Sequence, residues 1–259
     1  MSEVVAKKSE VSVRVASAVV MATVAGTALW LGGWYWIALA ATIATGVLYE
    51  WFKLALAFCK NKAFLVFWLL AGFAYVGFAA YSLIEMRGAI DDVTGRNDLG
   101  GLVDLWPNPS LRDIWGTLTI LLAVIAVDVG AFFVGRAVGG PKIAPKISPS
   151  KTWAGAFGGA IAAGTLLSAM HWFFVSYIEL CDFPSLCDYS MATVASQFLI
   201  GSIVTVVAQS GDFLESWMKR KAGVKDSGSL IPGHGGLFDR VDGIVAVSCV
   251  IGIFVLIIR

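Results

Sequence analysis

The sequence has 259 residues, of which 58% are hydrophobic and only 14% are charged, with a formal net charge of +1. A soluble domain of this size carries about 25% charged residues, so the composition excludes an ordinary water-soluble enzyme. The small net charge by itself excludes few classes of protein, because the distribution of the charges matters more than their sum. Several apolar runs reach the roughly 20 residues that cross a bilayer core. We therefore predict a single integral-membrane domain over residues 1–259.

In chain order, seven apolar runs predict the transmembrane helices of an all-α polytopic bundle. They are preceded by a polar segment, residues 1–12, which we expect to be a disordered cytoplasmic N-terminus without a signal-peptide cleavage pattern. The predicted spans cover approximately residues 13–31, 34–52, 64–84, 115–135, 154–178, 192–210 and 241–258.

The positive charges divide unevenly between the two sides when the N-terminus is placed in the cytoplasm. The far side receives only Arg87, Arg96, Arg112 and Arg259. An excess of Lys and Arg is typical of cytoplasmic loops, so the division supports this orientation. The cytoplasmic side receives the other fifteen: Lys7, Lys8, Arg14, Lys53, Lys60, Lys62, Arg136, Lys142, Lys146, Lys151, Lys219, Arg220, Lys221, Lys225 and Arg240.

Two far-side loops, the longer at residues 85–114 and the shorter at 179–190, are acidic, and we expect them to be solvated rather than functional. Cys181 and Cys187 share the second loop, where an oxidising compartment would permit a disulfide. Nothing in the sequence decides whether that disulfide forms.

A carboxylate, Asp128, lies in the middle of the fourth predicted span. A charge at that depth costs several kcal/mol unless it is paired or lines a wet cavity, so Asp128 is a candidate site residue. The alternative is an aspartate that pairs with a neighbouring helix for packing only.

Residues 146–153 lead into the fifth predicted span and contain Ser148, Lys151 and Thr152. Hydroxyl groups and a lysine at a helix N-terminus favour an anion site. The alternative is an ordinary helix N-cap with an interfacial lysine beside it.

The sixth predicted span ends in residues 209–216. If its helix continues, Asp212, Glu215, Ser216 and Lys219 lie at i, i+3, i+4 and i+7 on one face. Asp239 and Asp242 are three residues apart at the start of the last span and can also point the same way. Acids in the first turn of a helix can instead merely complement its dipole.

Residues 216–242 form the longest polar interruption in the sequence. Glycines at 233, 235 and 236 permit close approach of the backbone to a ligand. Cations, acids and bare backbone in one stretch suit a metal-bound polyphosphate. The charged members are Lys219, Arg220, Lys221, Lys225, Asp226, His234, Asp239, Arg240 and Asp242.

This stretch closely resembles the signature of the phosphatidate cytidylyltransferases. The matching positions are Ser216, Lys219-Arg220, Lys225-Asp226, Pro232-Gly233-His234-Gly235-Gly236 and Asp239-Arg240-Val241-Asp242, without a gap. Asp128 to Arg136, Ser148 to Thr152, and residues 209–216 resemble further family motifs. Ala154 departs from the pattern, since the family usually has Glu there. Glu50, in Tyr49-Glu50-Trp51, either matches a family Glu-Trp pair or is a carboxylate that snorkels to the interface.

The resemblance implies that CTP and phosphatidic acid react to give CDP-diacylglycerol and pyrophosphate, with Mg²⁺ and a second cation such as K⁺ as candidate cofactors. Both reactants are anionic, so divalent cations held by carboxylates and phosphate-binding Lys and Arg would relieve their repulsion. The implied metal ligands are Asp212, Asp239, Asp242 and Asp226. The implied phosphate-binding residues are Lys219, Arg220, Lys225 and Arg240. Further substrate contacts would be Asp128, Ser148, Lys151, Thr152, Ser216, Gly235 and Gly236. His234 would orient phosphate, act as an acid or base, or stabilise the turn.

The family also implies a bacterial-type inner membrane with the active site on the cytoplasmic side, and one or two additional short or re-entrant helices. We expect no nucleic-acid partner, and the sequence leaves a homodimer open. The nearest alternative is another CTP-using membrane enzyme, such as a CDP-archaeol synthase or a polyprenol kinase. An ion-coupled transporter would need polar groups on several spans, whereas Asp128 is the only charged mid-span residue. A structural membrane subunit would have little use for the charged loop.

Overall fold

A computed structural model describes residues 2–90, 109–177, 190–231 and 235–258. Within these ranges the chain forms seven long helices and one short hairpin. The elements are α1 (Ser2–Leu31), α2 (Gly33–Phe58), α3 (Lys62–Met86), α4 (Pro109–Val138), β1 (Lys142–Ala144), β2 (Ser148–Thr152), α5 (Trp153–Tyr177), α6 (Met191–Ala222) and α7 (Phe238–Ile258).

The predicted all-α membrane bundle is confirmed. Among the described residues, six helices, α2 to α7, are long and apolar enough to cross a bilayer. The predicted first span corresponds to a shorter apolar stretch, Val15–Leu31 of α1. The protein is therefore an integral membrane protein. Most of the acidic far-side loops, together with Cys181 and Cys187, lie outside the described residues.

Two element boundaries differ from the predictions. Residues 2–12 belong to α1 instead of forming a disordered tail, because Glu, Ala and Lys are good helix formers and nothing interrupts them before the apolar run. The sixth span does not end near 210, since α6 continues to Ala222. Gly223 ends it in the left-handed conformation, with a φ of 71°.

The segment before α5 is a β-hairpin, which the sequence analysis did not predict. Its strands are antiparallel, with Lys142 opposite Thr152 and Ala144 opposite Ser148. The Ile147 N–H donates to the Ala144 carbonyl at 3.1 Å, closing the turn. The strands are only three and five residues long, too short for an alternating pattern to identify.

Small residues bring α4, α5 and α6 into close contact. A Cβ added to Gly158 of α5 would lie 2.8 Å from the Gly130 carbonyl oxygen of α4. One added to Gly155 would lie 2.9 Å from the Ala131 carbonyl oxygen. Such backbone proximity is the usual way in which membrane helices pack tightly.

Aromatic side chains join α2, α3, α6 and α7 instead. Trp51 is almost fully buried, and its ring centroid lies 5.8 Å from that of Trp68 and 5.7 Å from that of Phe238. Its indole N–H donates to the Trp68 carbonyl at 2.9 Å. Met218 of α6 belongs to the same core. These contacts place the end of α2 beside the end of α6 and the start of α7.

At the opposite end of the bundle, Arg87 is buried and its Nε–H donates to the Leu29 carbonyl at 2.8 Å. The arginine thus satisfies a free carbonyl at the end of α1. Trp36 of α2 donates through its indole N–H to the Leu83 carbonyl at 2.9 Å. Both contacts hold α1 and α2 to the end of α3.

We predict that Gly158→Ala lowers the free energy of unfolding by about 1–3 kcal/mol, because the added methyl group overlaps α4. The matched control is Gly77→Ala in α3, where a Cβ would meet nothing within 4 Å. Both variants are heated in detergent, and the temperature at which half of the protein is no longer monodisperse gives the midpoint of unfolding. Equal midpoints for the two would contradict the close packing of α4 on α5.

Candidate active site

The predicted site residues come together at one end of the bundle, where α4 and α6 end and α5 and α7 begin. Their contacts divide them into two groups. The acidic cleft comprises Asp128, Asp212 and Asp242 with Lys151. The Lys219 cluster comprises Lys219, Glu215 and Asp239.

In the acidic cleft, the Lys151 ammonium of β2 donates to Asp212 Oδ2 of α6. The Asp242 Oδ1 accepts the Gly243 N–H at 2.8 Å. The three carboxylates interact electrostatically with one another, and Lys151 attracts Asp128 and Asp242. Lys151 thus interacts with all three carboxyl groups.

The cleft depends on close helix packing. A Cβ added to Gly211 of α6 would lie 2.8 Å from the Ala246 Cβ of α7, so only glycine allows this approach. Asp128 is exposed on α4.

The Lys219 cluster is better shielded. The Lys219 ammonium lies 2.6 Å from Glu215 Oε2 and also pairs with Asp239 Oδ1. The three side chains are 13%, 1% and 12% exposed, in the order Lys219, Glu215 and Asp239. Asp239 Oδ2 accepts the Ser227 N–H and hydroxyl, both at 2.9 Å, and the Gly236 N–H at 3.3 Å. Both oxygens of Asp239 are thus occupied by protein donors.

Glu50 is completely buried, with an exposed fraction of 0%. Its Oε1 accepts the Leu237 N–H at 3.0 Å, and its Oε2 accepts the Phe238 N–H and the Ser227 hydroxyl, both at 2.8 Å. The alternative that Glu50 snorkels to the interface is therefore wrong. The Glu50-Trp51 pair was the feature of the sequence that pointed to this carboxylate. Trp51 packs in the aromatic core and so holds the end of α2 that carries Glu50.

The connection between α6 and α7 is described over residues 223–231 and 235–237, and parts of it lie close to these carboxylates. A Cβ on Gly236 would lie 2.7 Å from Asp239 Oδ2 and 2.8 Å from Glu50 Oε2. A Cβ on Gly228 would lie 2.7 Å from the Glu50 carboxyl carbon. Gly235 has a φ of 86°, in the region that favours glycine. His234, with Pro232 and Gly233, lies outside the described residues.

Three of the predicted basic residues lie at the surface. Arg220, Lys225 and Arg240 are exposed, as is Asp226, which lies beside Gly235. Arg220 Nε–H donates to the Ile147 carbonyl of the hairpin at 3.4 Å.

Ser148 and Thr152 are buried, whereas Ser216 is half-buried. Thr152 Oγ1 accepts the Gly155 N–H at 3.1 Å. Thr152 is therefore an N-cap of α5, as the simpler alternative expected, and its contact with substrate stays a prediction.

The four implied metal ligands do not converge. Asp212 and Asp242 line the acidic cleft, Asp239 belongs to the Lys219 cluster, and Asp226 is exposed. Among the described residues, no three His, Cys, Asp or Glu side chains stand close enough to hold one ion. The helix of α6 does continue as required, but Asp212 pairs with Lys151 of β2, whereas Lys219 pairs with Glu215 and with Asp239 of α7.

Comparison with known proteins agrees with the motifs. The profile of the cytidylyltransferase family matches residues 99–258, which is more than half of the chain. The chain belongs to the cytidylyltransferase family. The acidic cleft and the Lys219 cluster both lie within the part that the family profile matches, whereas Glu50 precedes it.

Several curated members of the cytidylyltransferase family resemble the chain. A phosphatidate cytidylyltransferase from Brucella suis is 40% identical over 190 residues, which cover 72% of this chain and 56% of the relative. One from Haemophilus influenzae is 42% identical over 130 residues, covering 50% of this chain and 41% of the relative. One from Rickettsia bellii is 37% identical over 131 residues, covering 51% and 53%. The chain thus spans about half the length of these relatives.

We predict that Lys219→Met lowers the free energy of unfolding by about 3–5 kcal/mol, because two shielded carboxylates lose their counter-charge. Adding Glu215→Gln to the Lys219→Met variant should recover part of the lost free energy of unfolding. The matched control is Lys221→Met, since Lys221 is exposed. Denaturant unfolding in detergent, followed by tryptophan fluorescence, measures all four proteins. If Lys219→Met is as stable as the control, the cluster does not stabilise the fold.

Proposed function

We propose that this chain transfers the cytidylyl group of CTP to phosphatidic acid, forming CDP-diacylglycerol and pyrophosphate. The observation that carries the proposal is that an acidic cleft with Lys151, together with the Lys219 cluster, lies at one end of an apolar bundle. The curated relatives, which are 37–42% identical, carry the name of this activity. The matched family region contains both charged clusters.

The acidic cleft suits Mg²⁺ in its charge and in its donors. Mg²⁺ in nucleotide enzymes usually binds one or two carboxylates together with substrate phosphates. Asp212 and Asp242 would hold it, with Lys151 released toward a phosphate. When bound, Mg²⁺ would neutralise charge on the reacting phosphates and on the departing pyrophosphate. The remaining carboxylate, Asp128, leaves negative charge for a second cation such as K⁺. Asp239 is less suited to be a ligand, because protein donors already occupy both of its oxygens.

The reaction needs no protein nucleophile. A lipid phosphate oxygen attacks the α-phosphorus of CTP, and the bond from that phosphorus to the bridging oxygen breaks. The electron pair leaves with pyrophosphate. Arg220, Lys225 and Arg240 are exposed and would bind the phosphates through charge-assisted hydrogen bonds. Lys219 would keep Asp239 and the α6–α7 connection in place beside them.

The positive charges favour a cytoplasmic location for this end of the bundle, where CTP would be available, and the bacterial relatives favour an inner-membrane location. Phosphatidic acid would arrive laterally through the bilayer. The exposed position of Asp128 on α4 fits an entrance from that direction.

The purified protein in detergent, given phosphatidic acid, Mg²⁺ and one of CTP, ATP, GTP or UTP, tests the proposal. We expect CTP-dependent formation of CDP-diacylglycerol with equimolar pyrophosphate, and loss of both products when a chelator removes Mg²⁺. Transfer of a terminal phosphate with release of CDP would instead identify a lipid kinase. Absence of turnover with every nucleotide, from folded protein, would refute the proposal.

We predict that Asp212→Asn and Asp242→Asn each lower kcat roughly 10²- to 10³-fold, because each removes a charge that stabilises the transition state. Their KM for CTP should change less. Glu85→Gln is the matched control, since it removes a carboxylate at the opposite end of the bundle. Wild-type Mg²⁺-dependent turnover by folded Asn variants would contradict the assignment of these two ligands.

A further inference from the structure

We propose that Glu50 of α2 is a positioning residue that fixes the α6–α7 connection and the Lys219 cluster for catalysis. Its effect on turnover rests on the proposed function, whereas its effect on the connection does not. Glu50 has no exposed surface, so it acts through the groups that it holds.

The contacts of Glu50 converge on the first turn of α7. The first N–H groups of a helix have no partner within the helix. Glu50 accepts two of them, from Leu237 and Phe238, although these residues lie 187 and 188 positions later in the chain. A carboxylate at this place also complements the positive end of the helix dipole. One side chain from α2 therefore sets where α7 begins.

Ser227 extends this support to the Lys219 cluster. Its hydroxyl lies 2.8 Å from Glu50 Oε2 and 2.9 Å from Asp239 Oδ2, and its N–H also donates to Asp239. A hydroxyl has one proton, so it donates to one carboxylate at a time. Glu50, Ser227, Asp239 and Lys219 therefore form one buried hydrogen-bonded series. Displacing Glu50 would move Ser227 and weaken the support of Asp239.

The surroundings of Glu50 leave it little freedom to move. Trp51 anchors α2 in the aromatic core, while Gly228 and Gly236 bring two parts of the connection against the carboxylate. Any larger residue at either glycine would overlap it. The core thus fixes the position of Glu50. Glu50 in turn fixes the part of the connection that contains Gly235 and Gly236, which are predicted substrate contacts.

The experiment compares wild type, Glu50→Gln, Ser227→Ala and the control Glu85→Gln. In Glu50→Gln, one oxygen becomes an NH₂ group, so the amide can no longer accept from both Leu237 and Phe238 in the present geometry. Ser227→Ala keeps those two bonds and the Ser227 N–H bond to Asp239, and removes only the hydroxyl that lies between Glu50 and Asp239. Initial rates with CTP and phosphatidic acid give kcat and KM per folded protein. Hydrogen exchange, measured without substrate, reports on residues 224–231 and 235–241.

We expect Glu50→Gln to lower kcat by roughly 10- to 100-fold, since small misplacements of catalytic groups have effects of that size. KM should change much less. Amide exchange should accelerate in both parts of the connection and stay unchanged in α4 and α5. Ser227→Ala should lower kcat with a smaller change in exchange, and Glu85→Gln should resemble wild type in both measurements.

Wild-type kcat in folded Glu50→Gln, or unchanged exchange in the connection, would overturn the proposal. So would a loss of activity that merely follows the folded fraction, because that loss denotes a purely structural role. If Glu50→Gln does not fold, Ser227→Ala decides, and wild-type kcat in that variant would overturn the proposal. If wild type makes no CDP-diacylglycerol, the proposed function fails, and hydrogen exchange alone then decides whether Glu50 fixes the connection.

Discussion

The ammonium group of Lys219, shared by Glu215 and Asp239, is the interaction on which the polar end of this bundle depends. It joins α6 to the first turn of α7 in surroundings from which water is largely excluded. Asp239 then holds the connection through Ser227 and Gly236. Asp239 also accepts the Gly236 N–H just before α7, so the same carboxylate supports the start of the helix and completes an ion pair. Asp239 also lies in the first turn of α7, so it complements the helix dipole as well, which was the alternative interpretation of its position in the sequence.

Two ways of packing helices meet at α6. On one side, small residues bring α4 and α5 close, and on the other, aromatic rings join α2, α3 and α7. Asp212 and Lys219 are seven residues apart on α6, which corresponds to roughly 10 Å along a helix. The first faces Lys151 and the second faces Asp239. The two charged groups consequently occupy different depths along one helix, and each is held by a different set of neighbours.

The two groups differ in how far protein donors satisfy them. In the Lys219 cluster, Asp239 has protein donors on both oxygens, and buried Glu50 supports it through Ser227. Glu215 is satisfied on one side only, since its Oε1 is buried with no hydrogen-bond partner among the described residues. In the acidic cleft, three carboxylates share Lys151, and Asp128 is exposed. Satisfied charges in an apolar protein give rigidity, whereas unsatisfied ones attract cations or substrate. This division explains how one short stretch of sequence can both organise the fold and leave a site for phosphate chemistry.

The sequence by itself determined the membrane bundle, the approximate spans, the family and most of the charged residues at the site. These conclusions depend on local quantities: the length of an apolar run, the side on which charges lie, and the spacing of a gapless motif. Only the tertiary structure decided that Glu50 is buried and that residues 148–152 form a strand. It also decided that Asp239 and Asp242, three residues apart, belong to different clusters. Each of these depends on partners far away in the chain, such as Ser227 for Glu50 and Lys219 for Asp239. Spacing along one helix determines the direction in which a side chain can point, but the neighbouring helices determine which groups that side chain contacts.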